Sequence, residues 1–130
     1  MIEVEIFRIV IDEAKREQII MLKEKSGERV LPIIIGIAEA TAIKMKFSNF
    51  KPPRPLSHDL MSDILTNLDV KLEKVIIDNL IEGTYHAKLH LRKSDGNLVL
   101  VDARPSDSVA LAARTNSPIF VKEHILEKIA

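Results

Sequence analysis

The stretch from Leu98 to Arg114 leaves the fewest choices of fold. Leu98-Val99-Leu100-Val101 contains no polar residue and reads as a strand. The chain breaks at Pro105, whose missing N–H costs nothing in the first turn of a helix. Ser106 and Asp107 then put an acceptor and a negative charge at the positive end of the helix dipole. An alanine-rich run carries the helix to Arg114, and Thr115-Asn116-Ser117-Pro118 stops it. Asp102, Arg104 and Asp107 therefore crowd one strand-to-helix junction. Such a cluster suits chemistry, and it equally suits an Asp107 helix cap with Arg104 paired to an acid.

The remaining chain supplies the strands that such a junction needs. Ile2 to Ile11 starts with apolar and acidic residues in alternation, and Gln18 to Lys23 follows as the second arm of a hairpin. Ser26-Gly27-Glu28 is a turn. Val30 to Gly36 is almost wholly apolar, as expected of a central strand covered on both faces, although Pro32 implies an unpaired N–H side. Glu39 to Phe47 reads as a helix, and Asn49 to Pro55 contains too many prolines for a regular element. Ser57 is placed to cap a further helix whose apolar face is Leu60, Met61, Ile64, Leu65 and Leu68. Val70 to Leu80 and Thr84 to Lys93 are strands joined near Glu82-Gly83, and Ser94-Asp95-Gly96-Asn97 is a turn. Ile119-Phe120-Val121 is a short strand, and a last helix starts near Lys122. Its pattern is still helical at Ala130, as at a trimmed end.

This order repeats itself about half-way along. Glu39-Ala40-Thr41-Ala42-Ile43 corresponds to Asp107-Ser108-Val109-Ala110-Leu111, which suggests an internal duplication of a β-β-β-α unit. The expected fold is α+β, one domain over residues 1–130, with a mainly antiparallel sheet and flanking helices.

Composition narrows the functions. Basic and acidic residues number 19 each, so the global charge offers no case for nucleic-acid binding. The exception is Ala40 to His58, where Lys44, Lys46, Lys51 and Arg54 occur without a facing run of acids before Asp59. Aromatics are scarce, with no Trp and one Tyr, which disfavours a base-stacking platform. The absence of cysteine excludes disulfides, thiolate zinc sites and cysteine nucleophiles, and fits a reducing cytoplasm. Met1-Ile-Glu-Val-Glu reads directly as a strand, so no leader is expected, and no apolar run approaches the roughly 20 residues of a membrane span. No glycine-rich nucleotide loop, nucleophile elbow or zinc-protease motif occurs. His86 and His90 lie about 13 Å apart along one strand, too far to share a metal. His58-Asp59 opens a helix just after the basic segment, where an anionic oxygen could meet free backbone N–H groups.

Taken together, Leu31-Pro-Ile-Ile-Ile-Gly36, Glu39-Ala40-x-Ala42-Ile43, Arg54-Pro-Leu-Ser-His58-Asp59-Leu60, Val101-Asp-Ala-Arg-Pro-Ser-Asp107-Ser-Val-Ala-Leu-Ala112 and Pro118-Ile-Phe-Val121 resemble the bifunctional nuclease domain family. The resemblance covers most of the chain and implies hydrolysis of DNA and RNA. It brings no catalytic constellation with it, so the site has to be argued from chemistry. Phosphodiester hydrolysis needs a nucleophilic water, stabilised phosphate charge and a protonated leaving oxygen. The candidates are Arg54 and Arg104 as phosphate clamps, His58 as general acid or base, and Asp107 beside them. Lys44, Lys46 and Lys51 would hold substrate. Asp102, Asp107, Glu39 and Asp59 could carry Mg²⁺ or Mn²⁺, and no organic cofactor is expected. The competing expectation is a non-enzymatic module that binds a small anion or a protein partner. Several apolar strands in a short chain also suggest a homodimer.

Overall fold

In the computed structural model, residues 1–12, 14, 17–48, 54 and 56–129 are described. Ile2–Asp12 (β1) and Glu17–Glu24 (β2) form an antiparallel hairpin, and Val30–Ile35 (β3) adds antiparallel to β2. Two helices follow, Ile37–Ser48 (α1) and Ser57–Asn67 (α2). A second antiparallel meander then runs through Lys71–Ile81 (β4), Thr84–Arg92 (β5) and Leu98–Ala103 (β6). Pro105–Thr115 (α3), Ile119–Val121 (β7) and Glu123–Ile129 (α4) complete the chain. The sheet order is β3-β2-β1-β7-β4-β5-β6. Short β7 joins the two meanders, antiparallel to β1 and parallel to β4. This is an α+β fold with a mainly antiparallel sheet. Each meander is followed by a helix, α1 or α3, which is the β-β-β-α order expected of both halves; common topology alone does not establish a duplicated ancestor.

Local chemistry explains the two tight connections of the second meander. Glu82 and Gly83 both have positive φ, 49° and 78°, the geometry whose twist matches that of antiparallel strands. Between β5 and β6, Gly96 at φ 90° lets its N–H reach the Lys93 carbonyl, while Lys93 N–H donates to Asn97 O at 2.9 Å. That last bond makes Lys93 and Asn97 a hydrogen-bonded pair and fixes which groups along β6 face β5.

Helix α3 is the centre of the molecule. Pro105, Ser106 and every residue from Ser108 to Ala113 are buried, far more than the one stripe of a surface helix. Its small side chains let α1, α2, β4 and β5 all approach closely. The core joins Val109 and Leu111 to Leu22, Leu31, Ile43, Val75, Ile77 and Val121. Asn116, left-handed at φ 55°, ends the helix, its N–H donating to Ala112 O.

Two expectations need correction. β3 is an edge strand rather than a central one: Leu31, Ile33 and Ile35 point inward while Pro32 and Ile34 face out. The strand covered on every side is replaced by a helix, α3. On α2, Leu65 alone of the five apolar residues packs on the core, and Leu60, Met61, Ile64 and Leu68 are exposed. Among the described residues, no helix is long and apolar enough to cross a membrane.

Candidate active site

The helix starts converge. Glu39 is the third residue of α1, Asp107 the third of α3, and His58 the second of α2. Pro105 forces the preceding residue out of helical geometry, and Arg104 is accordingly extended at φ −69°, ψ 145°. From there its guanidinium bridges two acids: Nε donates to Asp107 Oδ2 at 2.9 Å and Nη2 to Glu39 Oε1 at 2.9 Å. Asp107 Oδ1 in turn lies 3.2 Å from His58 Nε2. The result is one continuous chain, Glu39–Arg104–Asp107–His58, built from three helix N-termini.

Gly36 makes room for this arrangement. It immediately precedes α1, and a Cβ there would lie 2.6 Å from Glu39 Oε2. Only a residue without a side chain lets the Glu39 carboxylate fold back to this place, where the residue is 6% exposed. A carboxylate so buried requires a cation, and Arg104 provides it.

The electrostatics follow from the contacts. Burial pushes the Asp107 carboxyl upward, but the hydrogen bonds from Arg104 and His58 outweigh it, and its pKa falls below the ordinary value. The Arg104 pKa is raised, chiefly by its bond to Asp107 and then by the charges of Asp107 and Glu39. The Arg104 side chain is nevertheless 70% exposed, whereas His58 is 3% exposed. Arg104 opens into a cleft of about 370 Å³ lined by Pro32, Ile34, Tyr85 and Ser106. His58 borders a different hollow of about 260 Å³, with Thr41, Leu56 and Ser57. Cation and imidazole thus flank Asp107, and each borders its own hollow.

Other expected residues lie elsewhere. Leu56, not Ser57, occupies the cap position of α2, and Asp59 reaches back to accept the Leu56 N–H at 3.1 Å. Asp59 also pairs with Arg114, which donates to Ala42 O and so ties α1, α2 and α3 together. Asp102 stands 75% exposed on β6, beside Lys88 at 3.4 Å. Strand alternation explains this, because Ala103 pairs with fully buried Ala87 and turns Asp102 to the opposite face. Arg54 is exposed, and among the described residues no hydrogen bond or ion pair joins it to the cluster. Lys44 reaches Gln18 at 3.4 Å; the Lys46 side chain and Lys51 lie outside the described residues.

The acids proposed as a metal set do not fit one ion here. Arg104 stands between Glu39 and Asp107, Asp59 is taken by Arg114, and Asp102 faces away. Among the described residues no group of three or more His, Asp or Glu is arranged as a ligand set. Residue-type reasoning missed Arg114 and Gly36. The signal for Gly36 was its position three residues before Glu39 at a strand-to-helix turn.

The fold and site thus define an α+β protein with a carboxylate–arginine–carboxylate–histidine chain, buried at its Glu39 and His58 ends, at the meeting of three helix starts. The bifunctional nuclease domain matches residues 20–130, and the chain belongs to that family. An uncharacterized protein of Mycobacterium tuberculosis is 41% identical over 124 residues, covering 95% of this chain and 73% of that protein. Bifunctional nuclease 1 of Oryza sativa subsp. indica is 24% identical over 116 residues, covering 88% of this chain and 35% of its own length. Bifunctional nuclease 2 of Arabidopsis thaliana is 25% identical over 114 residues, with 86% and 35% covered. The chain therefore spans about a third of these plant relatives.

Proposed function

We propose that this chain hydrolyses phosphodiester bonds in DNA and RNA at the Glu39–Arg104–Asp107–His58 centre. The observation that carries the reading is the solvent-facing Arg104 guanidinium held rigid by two carboxylates, with a histidine on the far side of one of them. Two of its five N–H groups are committed to Glu39 and Asp107, and among the described residues Nη1 makes no hydrogen bond, leaving a fork that suits phosphate oxygens. Asp107 accepting from His58 Nε2–H leaves Nδ1 as the basic nitrogen. In the proposed step a water oxygen bonds to phosphorus and its proton passes to His58, the bond to the leaving sugar oxygen breaks as that oxygen takes a proton from solvent water, and His58 then returns its proton to solvent. Exposed Lys44 and Arg54 would hold flanking phosphates. No step is routed through a divalent ion, because the acids do not assemble around one. The family membership and the names of the plant relatives support the nuclease reading. The lack of cysteine supports a cytoplasmic setting.

The burial of His58 favours a second reading, an anion-binding module in which His58 only braces Asp107. Incubation of purified protein with labelled single-stranded DNA and RNA, each with chelator, Mg²⁺ or Mn²⁺, separates the two. Cleavage lost in Arg104→Gln and His58→Ala supports the nuclease; loss with chelator alone would restore a metal to the mechanism. Intact substrate under every condition, with phosphate still bound by the wild type, supports the module.

A further inference from the structure

We infer that the cleft in front of Arg104 is a subsite for a single nucleoside, in which the Tyr85 ring stacks on the base next to the phosphate that Arg104 holds. Arg104 is here the phosphate clamp of the nuclease reading, and the subsite adds the neighbouring part of the substrate. The cleft holds about 370 Å³, within the range of roughly 300–1,000 Å³ usual for small-molecule sites. Its walls come from distant parts of the sheet: Pro32 and Ile34 from edge strand β3, Thr84 and Tyr85 from the start of β5. Both strands contact α3, and Arg104 and Ser106 at the start of that helix complete the lining.

The lining has a cationic end and an apolar wall. Among the described residues that line it, Arg104 carries the only charge. Ile34, beside Pro32, is 61% exposed, an apolar side chain left open to solvent. Ser106 is 7% exposed, yet its hydroxyl makes no hydrogen bond among the described residues, and the Thr84 and Tyr85 hydroxyls make none either. A buried hydroxyl without a partner is a group that a ligand can satisfy. An inorganic anion would use Arg104 and Ser106 and leave the apolar wall in water. A nucleotide uses both, with phosphate oxygens on the guanidinium and a flat base against the ring and the aliphatic wall. Because Glu39 and Asp107 already offset the Arg104 charge, phosphate gains less there than from an unpaired guanidinium, and the stacked base supplies the difference.

Tyr85 is also placed to act before a ligand arrives. It is half-buried and packs against the core, so its ring is already held and little freedom is lost when a base stacks on it. The scarcity of aromatics that argues against a stacking platform is compatible with one stack. Tyr85 is the single tyrosine, there is no tryptophan, and no other aromatic residue lines the cleft among those described. Lengthening the substrate therefore adds phosphate contacts and no second stack in this cleft.

Titration calorimetry with adenosine 5′-monophosphate, ribose 5-phosphate and inorganic phosphate tests the subsite without requiring cleavage. The wild type should bind the nucleotide about 5–100-fold more tightly than the sugar phosphate, the range expected of one stacked base. With one tyrosine and no tryptophan, the intrinsic emission comes from Tyr85 itself. The nucleotide should quench it, after correction for absorption by the base, and ribose 5-phosphate should not. Tyr85→Leu should bind nucleotide and sugar phosphate alike while holding inorganic phosphate as the wild type does, and Tyr85→Phe should keep the preference. Arg104→Gln should weaken all three ligands. The wild-type comparison and the emission carry the test if Tyr85→Leu fails to fold. Equal wild-type affinities for nucleotide and sugar phosphate, a preference that survives in folded Tyr85→Leu, or no binding of any of the three at millimolar concentration overturns the inference. Cleavage of DNA or RNA without a base preference refutes the subsite and leaves the nuclease reading standing. A base preference that depends on Tyr85 in a protein that cuts neither substrate supports the subsite and refutes the nuclease reading alone.

Discussion

Replacing Asp107 by Asn separates the charge of the central carboxylate from its shape. The carboxylate accepts from Arg104 Nε at 2.9 Å and lies 3.2 Å from His58 Nε2. The amide can keep both contacts: its oxygen faces Arg104, and its NH₂ donates to Nε2, which moves the imidazole proton to Nδ1. Charge-assisted bonds are worth about 1.5–3 kcal/mol and neutral ones about 0.5–1.5. With the side chain 29% exposed, we expect the substitution to cost about 1 kcal/mol, a fall of roughly 3–5 °C in thermal midpoint. The same tautomer switch removes the basic nitrogen, so cleavage should fall about 10²–10⁴-fold. The folded pKa of Asp107 is depressed, so its stabilisation is complete above the ordinary value near 3.9 and is lost as pH falls through the folded value. Calorimetry of both proteins should therefore show a midpoint gap that is constant above about pH 5 and closes on further acidification. A folded Asp107→Asn protein that cleaves within threefold of wild type, or a gap independent of pH, refutes the reasoning.

Arg104→Ala should leave the Glu39 carboxylate buried without its cation and cost about 2–3 kcal/mol, and adding Glu39→Gln should recover part of it; urea denaturation of the single and double variants measures the coupling. Gly36→Ala should displace the Glu39 carboxylate, the far end of a flexible side chain, for about 1 kcal/mol or less while weakening phosphate binding at Arg104; titration calorimetry with inorganic phosphate would show both proteins alike if Glu39 does not position the guanidinium. Leu111→Ala, at a buried position of α3, should cost about 2–5 kcal/mol, and a loss below 1 kcal/mol by urea denaturation would mean that α3 is not the packed centre.

The sequence marked out the elements better than their surroundings. Strand ends were legible because Glu82-Gly83 and Asp95-Gly96 carry turn chemistry that works over a few residues. The depth of β3 was not, since Ile33, Ile34 and Ile35 are the same residue type and hide an alternation of buried and exposed positions. Likewise Leu60, Ile64 and Leu68 show a helical face without showing what covers it. At the site, Glu39, His58, Arg104 and Asp107 were identifiable as residue types near helix starts. Their connection was not, because Arg104 and Glu39 are 65 residues apart and His58 and Asp107 are 49 apart. Asp102 was misplaced by nearness in sequence to Arg104, where strand alternation turns consecutive residues to opposite faces.

The position of the two acids gives the centre a dependence on the whole fold. Glu39 and Asp107 stand at the third position of the helices that follow the first and second meanders, so each half of the chain contributes one carboxylate. Arg104, from the second half, is satisfied only when the first half delivers Glu39 against it, and Glu39 is tolerable in its buried place only with Arg104 present. His58 enters from the helix between them and closes on Asp107. Packing of the halves through β7 and α3 thus brings the charge chain together, and removing Arg104 alone would leave Glu39 an unpaired buried acid.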